Sequence, residues 1–186
     1  MSLSNLQDLL VTSGFPRSGN TFVNYAFHKL FNLKQVNFNR HTVIVVEKRD
    51  HTFVPFRHPL DCISSWHLYQ DEFLLDTGIL EDDFKFYLRF HTSLEQLSNK
   101  ITLLDFDLFK DDLTYLSSKV TDLYAAIPSN VTLEEVKEFM KEEDKGINLP
   151  RNTEQQKQII QERIKDTGLY QDCVSIYESL KQREKK

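Results

Sequence analysis

Residues 13–21 read Ser-Gly-Phe-Pro-Arg-Ser-Gly-Asn-Thr; they follow the short apolar run Leu9-Leu10-Val11 and open a stretch with helical spacing. A strand that feeds a glycine-containing turn at a helix N-terminus aims free backbone N–H groups and the positive end of the helix dipole at one point. Such a point takes an anion. Arg17, inside the turn, adds a fork of donors able to hold a phosphate or sulfate bidentately.

The spacing G-x-x-x-x-G-x-T is that of the Walker A motif, with Asn20 where the lysine would follow the second glycine. A neutral Asn cannot replace the charge that reaches the β- and γ-phosphates, which disfavours ATP chemistry. A second segment narrows the choice. Phe53-Val54-Pro55-Phe56 reads as a buried strand running into Arg57-His58-Pro59-Leu60-Asp61-Cys62-Ile63-Ser64-Ser65-Trp66, with Pro59 suited to the first turn of a helix. Arg57 at the strand's end and Ser65 about two turns into the helix then make a second anion-binding pair, expected some distance from the first. Two alternatives stay open: Arg57 paired with Asp61, and Ser64 in place of Ser65, about 100° away around the helix. Two such sites at neighbouring strand ends imply a ligand with phosphates at both ends.

With these two motifs in this order, the chain resembles the sulfotransferases that use 3′-phosphoadenosine 5′-phosphosulfate (PAPS). Gly14 to Thr21 is similar to that family's 5′-phosphosulfate loop, and Arg57 with Ser65 to its 3′-phosphate motif. The resemblance implies PAPS as co-substrate, no metal, and transfer of a sulfuryl group to a hydroxyl or amine with release of adenosine 3′,5′-bisphosphate. It implies nucleotide contacts from Phe15, Pro16, Arg17, Ser18, Gly19, Asn20 and Thr21. A third landmark, Thr102 to Asp112, places Phe106 near the adenine, and Phe22 matches an aromatic that stacks on it. A late loop with Lys145, Gly146 and Arg151 matches the segment that closes over the 3′-phosphate. Arg17 is expected to stabilise the leaving phosphate. His41, between the two motifs and directly before the strand-like run Thr42 to Val46, is the expected general base, with Glu47 and His51 as alternatives. His58 lies within the 3′ motif; His28, His67 and His91 read as ordinary, partly buried helix residues.

These motifs need a sheet to carry them. Alternation of strand-like and helical stretches predicts an α/β fold with a mostly parallel central sheet flanked by helices. The resemblance implies a three-layer sandwich like that of P-loop NTPases. The 186 residues suit one domain, sheet-forming over about 8–127 and helical over about 128–182. Runs 42–46, 52–56 and 101–104 read as strands, and Pro55, which removes a ladder donor, points to a sheet edge. Thr132-x-x-Glu135 and Thr153-x-x-Gln156 fit capping boxes. Phe86, Tyr87, Phe90 and the loop from Leu68 to Glu81 either line the acceptor pocket or belong to the core.

A net charge of −5 argues against a nucleic-acid partner and for a small polyanionic nucleotide. No run is long enough to span a bilayer and the N-terminus lacks signal-peptide character, so a cytoplasmic location is expected. Cys62 and Cys173 form no C-x-x-C pair, and no metal-ligand spacing occurs. Two other functions compete: a P-loop phosphotransferase using Asp105 to hold Mg²⁺, and a non-catalytic nucleotide-binding module.

Overall fold

The structure, a computed structural model, describes residues 6, 8–33, 37–38, 51–70, 77–144 and 154–185. In chain order they form β1 (Val11–Thr12), α1 (Asn20–Leu30), β2 (Asn37–Phe38), β3 (Thr52–Phe56), α2 (Pro59–Tyr69) and α3 (Thr77–Glu95). There follow β4 (Ile101–Asp105), the short α4 (Phe106–Phe109), α5 (Leu113–Tyr124), α6 (Leu133–Asp144), α7 (Glu154–Lys165) and α8 (Gly168–Glu184). The strands make one sheet in the order β2-β1-β3-β4, with every pairing parallel.

Parallel strands are joined by crossover helices, which cover both faces of the sheet. The side chains follow that rule. Val54, Phe56, Ile101 and Leu103 point into a core shared with Ile63 of α2, Phe84 of α3, Ile160 of α7 and Leu180 of α8. Their alternates Phe53 and Leu104 point into a second core with Phe27 of α1, Leu116 of α5 and Val136 of α6. Each fully buried Phe or Leu in these layers contributes about 1.5–3 kcal/mol.

Three expectations need correction. The first strand is shorter than the apolar run. Residues 8 and 9 are helical and the Leu10 amide donates to Leu6 O at 3.0 Å, so only Val11 and Thr12 pair in the sheet. Pro55 does not mark an edge, because β3 lies between β1 and β4 with Pro55 opposite Leu104. Along β3 alternate residues address the same neighbour. Phe53 O accepts from the Ser13 amide of the β1 side at 3.1 Å, so Pro55 also faces that side. There β1 has already ended at Thr12 and the chain is turning at Gly14, so no ladder acceptor is left without its donor. Third, His67 and His91 are fully buried rather than partly so. His67 Nδ1 lies 3.0 Å from Asp83 Oδ2, which joins α2 to α3, and Gln70 Nε2 donates to Asp83 Oδ1 at 3.2 Å.

The helical last third forms as expected. Thr132 and Glu135 close their capping box, with the Thr132 amide donating to Glu135 Oε2 at 2.7 Å and the Glu135 amide to Thr132 Oγ1 at 3.2 Å. The run 42–46, the second capping box at Thr153 and the loop 145–153 lie outside the described residues. The far end of α8 is fastened to α5. Tyr115 Oη donates to Glu184 Oε1 at 2.8 Å, and Lys119 Nζ lies 2.8 Å from the same oxygen. Among the described residues no helix is long and apolar enough to cross a membrane. Both cysteines are free and buried, and burial pushes each thiol up to about 12.

His91 gives this core an acid limit. Its Nδ1 donates to Tyr87 O at 2.8 Å, while Nε2 is buried with no hydrogen-bond partner among the described residues. Burial lowers its pKa from 6.5 to about 4. Between those values the unfolded chain binds a proton that the folded chain does not, so stability rises with pH across that window and falls on acidification. On the order of 3 kcal/mol is expected to be lost from pH 7 to pH 4. Denaturant melts of wild type and His91→Gln across that range check it, the variant showing the shallower pH slope; equal slopes contradict it.

Candidate functional site

At the end of β1 the chain enters a loop that must pass close under its neighbours. A Cβ on Gly14 would meet Pro55 O at 2.6 Å, Asn20 Oδ1 at 2.8 Å and Ser18 Oγ at 2.8 Å, so no side chain fits there. Ser18 Oγ donates to Phe15 O at 2.6 Å. Asn20 Nδ2 lies 2.9 Å from Phe15 O, 3.2 Å from Gly14 O and 3.3 Å from Ser18 Oγ. The residue in the Walker lysine position therefore turns back beneath the loop and holds its carbonyls. The Cys62 thiol adds a bond from α2, donating to Pro16 O at 3.0 Å.

Two residues turn the chain by left-handed backbone, Arg17 at φ 63° and Gly19 at φ 101°. Gly19 is also confined, since its Cβ would come within 2.8 Å of Phe109 Cζ and 2.9 Å of Phe106 Cδ2. It is the N-cap of α1, whose start has no side-chain cap and no acidic residue in its first turn. The positive helix end is left unneutralised by its own sequence.

The second motif is set by β3 and α2. Arg57 follows the last residue of β3, and Tyr87 Oη donates to Arg57 O at 3.0 Å. His58 caps α2 by accepting from the Leu60 amide at 3.3 Å, and its ring packs on Tyr177. Asp61 does not pair with Arg57: it faces α7, with Lys157 Nζ at 3.4 Å and Gln161 Nε2 at 3.1 Å. Ser64 is buried and donates to Asp61 O at 3.3 Å, leaving Ser65 as the serine that faces the loop.

The two motifs abut. Arg17 Nε donates to Ser65 Oγ at 3.0 Å, and Arg57 Nη1 reaches Arg17 O at 3.5 Å. The expected distance between the sites is corrected by the topology: β1 and β3 are hydrogen-bonded neighbours, so the loop that leaves β1 at Thr12 runs alongside the last residues of β3. Burial first and the nearby Arg57 charge second lower the Arg17 pKa. Among the described residues no carboxylate comes within ion-pairing distance of Arg17 or Arg57. Two adjacent guanidiniums with no carboxylate partner among the described residues make a site for a bound anion.

Both open onto a cleft of about 360 Å³, lined by Pro16, Arg17, Gly19, Asn20, Thr21, Phe22, Arg57, Trp66, Tyr69, Phe106 and Met140. Arg57 lies over the Phe106 ring at 4.4 Å, Phe106 packs edge-on against Phe109 at 5.3 Å, and Phe22 stacks on Phe109 at 5.8 Å. Most of the sequence-predicted nucleotide residues are thus brought together. Phe15 and Ser18 are not on the surface of the cleft: both are buried, and Phe15 packs on Phe86 at 4.9 Å and Tyr87 at 5.1 Å. Tyr87 and Phe90 are core.

His41, Glu47, Lys145, Gly146 and Arg151 lie outside the described residues. His51 is set apart from the cleft. It precedes β3, at the amino end of the sheet, with Nε2 2.8 Å from Thr102 Oγ1. Asp105 does not face the cleft. Its Oδ1 accepts from the Asp107 amide at 3.0 Å, its Oδ2 lies 3.9 Å from Lys181 Nζ, and burial raises its pKa. Among the described residues no group of His, Cys, Asp or Glu is placed to hold a metal ion. Trp66, Tyr69 and Met140 were not foreseen as nucleotide-cleft residues. Trp66 and Tyr69 follow Ser65 within the next turn of the same helix, which is the signal for them; Met140 arrives from α6 and has none.

Comparison with protein-family models, curated proteins and solved structures gave no match.

Proposed function

We propose that the chain is a PAPS-dependent sulfotransferase of P-loop-like three-layer architecture, transferring a sulfuryl group to a hydroxyl or amine. The observation that carries this reading is the convergence of Arg17, braced by Ser65, and Arg57, with no opposing carboxylate among the described residues, on a cleft walled by aromatic rings. A bisphosphorylated nucleoside has parts for both: phosphates for Arg17 and Arg57, and a flat base for the rings. The cleft volume falls within the range of small-molecule sites. The placement of Asp105 counts against the phosphotransferase reading, because its carboxylate is engaged by the start of α4 and by α8.

In the proposed reaction the acceptor oxygen or nitrogen bonds to sulfur as the bond from sulfur to the 5′-phosphate oxygen breaks. The acceptor gives up its proton to a base, assigned here to His41 on the resemblance alone. The leaving group departs as adenosine 3′,5′-bisphosphate. Arg17, the amides opening α1 and the helix dipole meet the charge that develops on the leaving phosphate. Arg57 and Ser65 hold the 3′-phosphate, and Phe106 with Phe22 flanks the adenine. The reaction is checked by incubating the protein with sulfur-labelled PAPS and a mixed acceptor panel. Label transfer that falls at least 100-fold in His41→Ala is expected; nucleotide binding without transfer to any acceptor would instead identify a non-catalytic module.

A further inference from the structure

Phe106, the ring beside the Arg57 guanidinium, opens a helix of only four residues, too short to hold its own place. Its place is fixed from outside, by one face of α8. Tyr177, Lys181 and Glu184 stand four and three residues apart, which puts them on the same side of that helix. Each ties, directly or through Tyr115, to a residue that flanks Phe106. Glu184 Oε1 accepts from Tyr115 Oη at 2.8 Å, and the same hydroxyl oxygen accepts from the Asp105 amide at 3.2 Å. Lys181 Nζ lies 3.9 Å from Asp105 Oδ2, and Tyr177 Oη donates to Asp107 Oδ2 at 3.5 Å. Asp105 Oδ1 in turn accepts from the Asp107 amide at 3.0 Å, which closes the clasp around Phe106.

We propose that Tyr115, Lys181 and Glu184 are positioning residues through which α8 sets how tightly the nucleoside base is held on Phe106; this rests on the nucleotide reading above. The side chains of Asp105 and Glu184 are only 4% and 6% exposed, so water competes little for their ties. Phe106 has no slack on its other side. A Cβ on Gly19 would come within 2.9 Å of Phe106 Cδ2, so the ring already touches the loop that carries Arg17. A shift of Asp105 therefore displaces the ring from its seat between that loop and Arg57. The two guanidiniums are set by other partners: Arg17 Nε by Ser65 of α2, and the Arg57 backbone by Tyr87 of α3. Loosening the clasp thus weakens the hold on the base and leaves the phosphate contacts in place.

The test titrates adenosine 3′,5′-bisphosphate and 1-deoxyribofuranose 3,5-bisphosphate, the same sugar and phosphates without the base, by calorimetry into wild type, Phe106→Ala, Tyr115→Phe and Lys181→Met. The ratio of the two affinities reads the hold on the base, and a general loss of stability or of one positive charge cancels in it. The expected result is a ratio that falls at least fivefold in Tyr115→Phe and in Lys181→Met, as it does in Phe106→Ala, with affinity for the base-free compound changed less than threefold. Lys181 is 31% exposed and its replacement opens no cavity, so that variant decides alone should Tyr115→Phe not fold. A ratio that either folded variant leaves unchanged, or a parallel loss for both compounds, overturns the proposal and leaves the nucleotide reading standing. A ratio indifferent to Phe106→Ala overturns it as well. Wild type that binds neither compound overturns the nucleotide reading, and the proposal with it.

Discussion

Replacing Arg57 by alanine is expected to weaken adenosine 3′,5′-bisphosphate binding by about 100-fold, close to 2.7 kcal/mol. Charge-assisted hydrogen bonds to a phosphate contribute about 1.5–3 kcal/mol, and the guanidinium carbon also lies 4.4 Å from the ring centre of Phe106, the expected adenine wall. No ion pair among the described residues is lost with it, so the melting temperature should hardly move. Arg57→Lys should recover only part of the affinity, because an ammonium is a point charge that neither forks nor stacks in the same way. Calorimetric titration of the three proteins reads both effects. Equal affinity in wild type and Arg57→Ala would remove Arg57 from the site.

Gly14→Ala is expected to damage both stability and binding. Its new methyl group would sit 2.6 Å from the Pro55 carbonyl oxygen, and backbone in the middle of a paired strand cannot give way cheaply. Two polar side-chain atoms at 2.8 Å, Asn20 Oδ1 and Ser18 Oγ, would also be pushed from the positions that shape the loop. Overpacking of this kind costs about 3 kcal/mol, or a fall in melting temperature of roughly 6–12 °C for a chain of this length. Bisphosphate affinity should fall with it as the loop carbonyls lose their Asn20 bonds. Gly168→Ala is the control: nothing lies within 4 Å of its added carbon, and it should melt at or slightly above wild type. A Gly14→Ala protein as stable as the control contradicts this account of the loop.

What was legible in the sequence was local. The alternation in Phe53-Val54 and Leu103-Leu104 already sorts side chains to opposite faces, and the structure places them in two separate cores. The capping box at Thr132 and the proline opening α2 form as their residue types require. The loop and the Arg57–Ser65 segment were readable as anion motifs because glycine, arginine and helix-start geometry act over a few residues.

What was not legible depends on which strands become neighbours. The hydrogen bond from Arg17 to Ser65 spans 48 residues and follows from the β1–β3 pairing. Pro55 misled for the same reason: its missing donor is harmless only because β1 stops at Thr12. Asn20 could be read as a lost lysine, but its use as a brace under the loop needs the positions of the Gly14 and Phe15 carbonyls. Asp105 looked available for a metal until Lys181, far along the chain, came within 3.9 Å of it.

The central claim, that Arg17, Arg57 and Ser65 with the flanking rings form a site for a nucleoside carrying phosphates at its 3′ and 5′ positions, is tested most directly by one calorimetric comparison. Wild-type protein is titrated with adenosine 3′,5′-bisphosphate and, separately, with ATP and Mg²⁺. The account predicts binding of the bisphosphate at least tenfold tighter than that of ATP with Mg²⁺, whereas preference for ATP, or no heat from either nucleotide, contradicts it.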